Sequence, residues 1–586
     1  MTRPATNTVW ARAIIDELAR CGLKDVIVAP GSRSTPLVMA ADRDPRVRVR
    51  LHLDERSAAF FALGLGQAGR PAAVVTTSGT AVANLLPAVV EACQASVPLI
   101  ALTADRPPRL RGSDANQAIE QRGIFGVYPR ESHELSLPDT DPKSLEHLRS
   151  LTCRVWGAAT GRDPGPVHLN VPFEKPLEPI EPSPNDEGSG GAGWTGRPDG
   201  APWTEARASR AVADEESLAE LEALLAGERP VLVAGPTPDP ERLGPAAVAL
   251  ARRFGCPLLA DPLSGARFLP GAEGAAIAGY DLALGDGTIR GELQPTAVVR
   301  LGRSPVSANL QRWLFDHAGR PQVVVDDGRR FKDHGATAHR YCAADAAATL
   351  NALLGRVGSG APDVASPSPW LTRWLALDEG VREATSSIPE TCEGAVAAEA
   401  HAALPDHGTL FVSNSMPIRD IDAFAHPSDR PLRIRANRGA SGIDGVVSTA
   451  FGVAAAVGPT VCLIGDVAFF HDLNGLLWSR EPDAPVVFVV VDNDGGGIFR
   501  ILPIADHEPA FTTYFATPHG IDFESAAAVH GIPFEEARPA EVGERVKAML
   551  AGGSTAVLHV RTDQKANHVA RTAMARDVVE RVRRSL

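Results

Sequence analysis

No apolar run in the 586 residues approaches the roughly 20 needed to span a bilayer; the longest, "ASVPLIALTA" and "APVVFVVVD", have the length of buried strands. There is no C-x-x-C, and the seven cysteines are odd in number and scattered, the pattern of reduced, mostly buried thiols. Basic excess is missing too. A net charge of −13 and a pI near 5.7 argue against a nucleic-acid partner or an anionic membrane surface, either of which wants a basic face. The stretch "MTRPATNTVWARAIIDELARCG" reads as an amphipathic helix, broken by charges too early for a signal peptide. With 44% hydrophobic and 22% charged residues, the expectation is a soluble, cytoplasmic α/β protein of several domains and without membrane insertion.

What is present is a rhythm. Short apolar runs alternate with helical patterns in three blocks: "DVIVAP", "RVRLHL", "AAVVTT", "PLIALTA" and "GPVHLNVP"; then "RPVLVAG", "CPLLA", "AVVRLG" and "PQVVVDD"; then "GTLFVSNS", "LRIRAN", "TVCLIGD", "PVVFVVVDN" and "STAVLHVR". That alternation predicts βαβ units and parallel sheets. Pro, Gly and acidic residues crowd 182–203, and a second break lies at 358–370, so both read as linkers. The expected division is 1–181, 204–357 and 371–586, three doubly wound parallel-sheet domains. Two motifs are set aside. "GLGQAG" (64–69) ends a helical pattern and precedes a strand, the reverse of a dinucleotide fingerprint, so its glycines are read as helix-end residues. "GDG" (285–287) follows no strong buried strand and is read as a turn.

A different Gly-Asp carries more. "TVCLI" is an apolar strand, and it delivers Gly465-Asp466-Val467 at its tip. Downstream, "PVVFVVV" ends in Asp492-Asn493-Asp494 and three glycines. An acid at a strand end is costly unless solvated, capping a helix or bound to a cation. Two neighbouring strand ends would gather a carboxylate, an amide oxygen and backbone carbonyls, hard ligands suited to Mg²⁺ carrying a phosphate. Gly465 and Gly495–Gly497 would let the backbone approach phosphates closely. Either piece alone reads equally well as an N-cap or a surface turn; the pair, 27 positions apart, is harder to ascribe to chance.

This pair resembles the cofactor motif of the thiamine-diphosphate enzymes, Gly-Asp-Gly followed by Asn, with Val467 departing from the third position. The resemblance implies three domains (pyrimidine-binding, central and diphosphate-binding), thiamine diphosphate with Mg²⁺ (Mn²⁺ as a substitute), and Asp466, Asn493 and the Gly495 carbonyl as metal ligands. It also implies that Ser415, Met416, Ile443, Gly465, Val467, Gly496 and Ile498 contact the cofactor, with Ile443 beneath it and Phe499 lining the pocket. Members of this family also use a glutamate. "LHLDERSAAFFALGLG" offers Glu55 at a strand-to-helix junction, where it could equally be a first-turn acid favoured by the helix dipole. By resemblance it bonds the aminopyrimidine ring and favours the imino form that takes the thiazolium proton. "TTSGTAVANLLPAVVEA" (76–92) is similar to the segment lining the pyrimidine pocket.

"APGSRSTPL" (29–37), "LTADRPPRLRGSDANQAIEQ" (102–121), "SNSMPIRD" (413–420) and "NRGASGIDG" (437–445) are similar to one branch of that family, the menaquinone-pathway synthases. That likeness implies decarboxylation of 2-oxoglutarate and 1,4-addition of the four-carbon carbanion to isochorismate, in a homo-oligomer with active sites between subunits. In an acidic chain, Arg33, Arg106, Arg419 and Arg438 stand in Gly/Pro/Ser-rich loops, where guanidinium groups can clamp carboxylates bidentately. Solvated loop residues or interdomain ion pairs are the plainer reading of each. Ser32, Asn116, Gln117 and Ser415 are neutral partners in the same segments, and Arg303 a weaker contact from the middle block. The rival expectation is an acetolactate-synthase-like enzyme or another 2-oxoacid decarboxylase, which acts on small monocarboxylates and needs no such arginine set.

Overall fold

Among the described residues, eighteen strands fall into three six-stranded sheets in which every pairing is parallel. The computed structural model describes residues 3–180, 191–328, 330–358 and 367–586; of the expected linkers, 182–190 and 359–366 lie outside the described residues. The chain divides into two compact units, one of residues 1–209, 437–458 and 472–484, the other of 210–436, 459–471 and 485–586.

The first unit holds the first sheet: β1 Asp25–Val28, β2 Arg48–Leu51, β3 Ala72–Thr76, β4 Leu99–Asp105, β5 Ser132–Glu134 and β6 Pro166–Pro172, in the order β2-β1-β3-β4-β6-β5. Val26, Val28, Ala73, Val75, Ile100 and Leu102 pack with the helices Arg3–Cys21 and Pro142–Thr160. The alternate residues Ile27, Val74 and Ala101 are buried as well. Both faces are therefore covered, which is why these strands read as unbroken apolar runs rather than as alternation. Part of the expected linker is ordered structure: Gly191–Thr195 is a helix, and the buried Arg149 donates through Nε to Gly193 O (2.8 Å) and through Nη2 to Trp194 O (2.9 Å).

The second unit contains two sheets. One comprises β7 Pro230–Ala234, β8 Leu258–Ala260, β9 Ala276–Ile277, β10 Ala297–Leu301, β11 Gln322–Val325 and β12 Arg340–Cys342, ordered β12-β11-β10-β7-β8-β9. Counted within the sheet this is 3-2-1-4-5-6, the order of dinucleotide-binding folds. The other comprises β13 Thr409–Val412, β14 Arg433–Arg435, β15 Thr460–Gly465, β16 Val486–Asp492, β17 Phe534–Glu536 and β18 Ala556–Arg561, ordered β14-β13-β15-β16-β18-β17 and so repeating the first sheet's topology. In that topology the strand order reverses between β13 and β15, and ligands settle in the crevice at such a point, outside the carboxyl ends.

Between its two sheets the second unit is locked by a buried cation. Arg267, fully buried, donates to Asp422 Oδ1 at 2.6 Å, to Tyr280 Oη at 2.8 Å and to Asp422 O at 2.9 Å, while Tyr280 Oη donates to the same carboxylate at 2.8 Å. Burial pushes Asp422 up to about 7, against the pull of the adjacent guanidinium. Asp286, in the "GDG" expected as a turn, caps the short helix Gly287–Glu292 by accepting from the N–H groups of Thr288 and Ile289. Among the described residues no helix is long and apolar enough to cross a membrane.

The glycines of "GLGQAG" do more than end a helix. A Cβ on Gly64 would stand 2.2 Å from Thr449 O, and one on Gly452 would stand 2.0 Å from Phe61 O, so the helices Glu55–Gln67 and Val446–Val457 cross backbone to backbone. Gly452→Ala gains about 1 kcal/mol of helix propensity. Against it stands an overpacking cost of about 1–3 kcal/mol, and the obstacle is a main-chain carbonyl that cannot rotate away. A lowered thermal midpoint is expected; an unchanged or raised one would show that the crossing relaxes freely.

Candidate active site

In the second unit three strand ends converge. β13 delivers residues 413–416, β15 delivers Gly465-Asp466, and β16 delivers Asp492-Asn493, the first two being joined where Ser413 N donates to Leu463 O at 2.9 Å. Asp466 is 3% exposed and begins the helix Asp466–His471. Its Oδ1 accepts from Val467 N (2.7 Å), and its Oδ2 from Gly495 N (2.8 Å) and Asn493 N (3.1 Å), with His519 Nε2 at 3.3 Å. Burial raises its pKa to about 6 despite the N–H donors. Asp492 takes the opposite course: burial opposes its charge, but His559 Nε2 at 2.9 Å and Asp494 N at 3.0 Å hold it down at about 2. One atom each of Asp466, Asp492 and His519 lie within 4.8 Å of one another.

Asn493 is oriented from behind. Its Nδ2 donates to Glu393 Oε1 at 2.8 Å, and the same oxygen accepts from Thr562 Oγ1 at 3.0 Å. Glu393 is 2% exposed, and burial, with the charge of Asp420, pushes it up to about 7. With the amide nitrogen held there, Asn493 Oδ1 is buried and has no hydrogen-bond partner among the described residues. An orphaned buried acceptor beside a carboxylate is what a missing cation would satisfy, and all the nearby donor atoms except the His519 nitrogens are hard oxygens, so the residues fit Mg²⁺. The Gly495 carbonyl accepts from Gly497 N at 3.0 Å, leaving it a second lone pair. Gly495 has φ +129°, and a Cβ there would lie 1.9 Å from Ala516 O; one on Gly496 would lie 2.2 Å from Phe515 O.

Around this centre Gly465, Val467, Gly496, Ile498 and Phe499 are half-buried, Met416 is buried, and Phe499 meets Phe515 edge-on at 5.6 Å. Ser415 stands at φ +70°, and Arg419 Nη1 donates to its carbonyl. Arg303 follows β10 at the carboxyl edge of the central sheet, its N–H donating to Pro236 O at 3.0 Å.

The first unit brings together a second group. Glu55 opens the helix Glu55–Gln67 behind its N-cap Asp54 and is half-buried, its Oε2 accepting from Asn84 Nδ2 at 3.1 Å. After β1 and β3 come Ser32-Arg33 and Thr77-Ser78, pressed so close that a Cβ on Gly31 would overlap Thr77. Arg33 is 6% and Arg106 9% exposed. Arg33 Nη1 donates to Phe173 O at 2.7 Å, but its buried Nε has no partner among the described residues. Arg106 donates through Nε to Asn116 O (3.1 Å) and through Nη1 to Ser78 Oγ, whose hydroxyl donates to Gln117 O at 3.1 Å. Burial and the charge of Arg106 pull Arg33 down to about 10, against the opposing pull of the Asp105 and Glu174 carboxylates. Ser32, Asn116 and Gln117 are exposed beside it.

Arg438 and Ile443, half-buried, ride on a loop that Glu91 fastens: its carboxylate accepts from Gly439 N and Ala440 N, each at 2.6 Å. In the sequence Asp492 reads only as part of a strand end, and Glu91, Glu393, His519 and Thr562 do not stand out. Glu91 and Glu393 look there like ordinary helix acids, and His519 lies 53 positions from Asp466 in a stretch without periodic signal.

Residues 9–124 match the thiamine pyrophosphate enzyme N-terminal TPP binding domain, 193–412 the middle domain of thiamine pyrophosphate, and 423–560 the C-terminal TPP binding domain. The chain is 45% identical to the 2-succinyl-5-enolpyruvyl-6-hydroxy-3-cyclohexene-1-carboxylate synthase of Halobacterium salinarum, over 98% of this chain and 99% of that one. It is 41% identical to the synthase of the same name from Roseiflexus sp., over 97% and 98%. Among solved structures, benzoylformate decarboxylase from Polynucleobacter necessarius superposes with a TM-score of 0.70 at 17% identity, covering 95% of this chain and 98% of the other, a likeness of fold. The chain belongs to the 2-succinyl-5-enolpyruvyl-6-hydroxy-3-cyclohexene-1-carboxylate synthase family of thiamine pyrophosphate enzymes.

Proposed function

We propose that the protein decarboxylates 2-oxoglutarate and adds the resulting four-carbon carbanion to isochorismate in a 1,4-sense, releasing CO₂ and forming 2-succinyl-5-enolpyruvyl-6-hydroxy-3-cyclohexene-1-carboxylate for menaquinone biosynthesis in the cytoplasm. The observation that carries this reading beyond the family is the Arg33–Arg106 pair, two buried guanidiniums with an unfilled donor in a protein of net charge −13. A dicarboxylate acceptor would neutralise them; a small monocarboxylate has no need of both.

Thiamine diphosphate, when bound, supplies a carbon nucleophile and an electron sink for the acyl carbanion. Asp466, Asn493 and Gly495 would hold its Mg²⁺, and the glycine-rich turn would lie against the diphosphate. Glu55 would hold a proton at a ring nitrogen of the pyrimidine. Arg419 and Arg438 would serve the substrate carboxylates nearest the cofactor, and Ser32, Arg33, Arg106, Asn116 and Gln117 would hold isochorismate. In this reading 1–181 is the pyrimidine-binding domain, 204–357 the central domain and 371–586 the diphosphate-binding domain. The assembly is a homo-oligomer in which Glu55 of one subunit serves the metal centre of its neighbour.

Incubation with thiamine diphosphate, Mg²⁺, 2-oxoglutarate and isochorismate should yield one product with the mass of the adduct less CO₂; turnover of pyruvate alone would favour the acetolactate-like alternative. Four variants test the parts. Asp466→Ala should abolish Mg²⁺-dependent cofactor binding in calorimetry, and Glu393→Gln, which no longer dictates which way the Asn493 amide points, should weaken Mg²⁺ about 10- to 100-fold with the fold intact. Glu55→Gln should keep cofactor affinity and lose about 10²–10⁴ in turnover, the range typical of lost acid–base help. Arg33→Lys keeps the charge but not the fork, and should cost roughly ten- to a hundredfold in kcat/KM for isochorismate while leaving 2-oxoglutarate decarboxylation unchanged. An unaltered isochorismate KM and kcat would make Arg33 a structural residue.

A further inference from the structure

The first unit contains another cluster of ligating atoms, which the reaction does not use. Glu17 and Cys21 lie one turn apart at the end of the helix Arg3–Cys21, and Cys153 faces them from the middle of the helix Pro142–Thr160. The two sulfurs are 3.8 Å apart, Cys153 Sγ is 3.2 Å from Glu17 Oε1, and one ligand atom of each residue lies within 4.8 Å of the others. Two thiolates on one tetrahedral Zn²⁺, each about 2.3 Å from the ion, stand roughly 3.8 Å apart, so the sulfurs already occupy one edge of such a tetrahedron.

The surroundings favour a charged cluster. Thr204 N donates to Cys153 Sγ at 3.3 Å, the kind of bond that supports a thiolate, and Trp203 N donates to Glu17 Oε1. Arg149 Nη1, at 2.7 Å from Glu17 Oε2, would neutralise the single negative charge left when a dication meets two thiolates and a carboxylate. Without a cation, protons fill the gap: the bond to Cys153 and burial push the Cys21 thiol up. Glu17 and Cys153 are fully buried, whereas Cys21 is partly exposed and leaves a path and a fourth position for water.

We propose that Glu17, Cys21 and Cys153 form a binding site for a thiophilic divalent cation, of which Zn²⁺ is the type, entering with release of the two thiol protons and tying the first helix, the Pro142–Thr160 helix and the chain at 203–204 together. The site differs in chemistry from the oxygen-rich centre at Asp466, which a hard cation suits.

Co²⁺ is the probe, added to the reduced full-length protein. One equivalent should produce thiolate-to-cobalt charge-transfer absorption in the near ultraviolet with tetrahedral bands in the visible, displaced by Zn²⁺. Asp466→Ala should leave this spectrum intact. Cys21→Ser and Cys153→Ser should each lower cobalt affinity about 10- to 100-fold or more. Zn²⁺ should raise the thermal midpoint of the parent protein and not that of Cys21→Ser, the partly exposed position at which folding is least at risk. Cobalt binding without charge-transfer absorption, or absorption that survives in either cysteine variant, would overturn the assignment.

Discussion

One carboxylate organises the carboxyl edge of the third sheet. Asp466 is nearly closed off from water, so its charge has to be met by the protein, and three backbone N–H groups meet it: Val467 from its own turn, and Asn493 and Gly495 from the end of β16. Because two of the donors belong to the neighbouring strand, the same bonds that solvate the acid set the path of the 493–497 turn. That path is sterically exacting. Asp494 is left-handed at φ +60° and caps the N–H groups of His519 and Gly520 at 2.8 Å each, while Gly495 lies against Ala516. Moving the carboxylate would release the turn, and releasing the turn would leave the acid unsolvated. The site is over-determined by backbone bonds and therefore rigid before any ligand arrives.

The first unit solves a related problem with cations. Arg33 and Arg106 are buried side by side and repel each other, a cost that neighbouring carboxylates only partly offset; Asp105 next in the chain is itself engaged by Arg111 at 2.7 Å. Such an arrangement costs stability, and it holds two guanidiniums in fixed forks. Glu91 fixes a different segment. Its carboxylate holds the amides of Gly439 and Ala440, and a Cβ on Gly439 would stand 2.6 Å from Ala95 N, so the loop bearing Arg438 and Ile443 is clamped on both counts.

How much of this could be read in advance follows from what each feature costs locally. The inner strands were legible because burial on both faces forces runs such as "PVVFVVV" and "AAVVTT". The strands that escaped notice, Ser132–Glu134, Ala276–Ile277, Arg340–Cys342 and Phe534–Glu536, all lie at sheet edges and span two or three residues; Ala276–Ile277 is buried but too short to form a run, and the other three carry polar or exposed positions. Asp466, Asn493 and the glycines were legible because close backbone approach admits few residue types. Glu393 and Glu91 were not: Glu393 precedes the helix Gly394–Ala402 and Glu91 lies within Leu86–Ala95, and only the fold reveals that the one meets an amide 100 positions away and the other a loop 348 positions away. Gly64 and Gly452 fall between these cases, since a helix-end motif and a backbone crossing look alike until the second helix is seen.

The last constraint concerns Ser415. A non-glycine residue at φ +70°, ψ −130° costs on the order of 1–3 kcal/mol and persists only where the surroundings enforce it. Here they do. Ser413 N is bonded to β15, Met416 is buried with Pro417 and Ile418 behind it, and the Arg419 guanidinium reaches back to the Ser415 carbonyl. Glycine would relieve the strain at no steric cost, so the presence of serine argues that its hydroxyl is wanted at that point. The position is the switch point between β13 and β15, beside the start of the Asp466 helix, where an open parallel sheet offers its ligand crevice. Strain at Ser415, orphaned acceptance at Asn493 and the backbone cradle of Asp466 thus fall at one edge of one sheet.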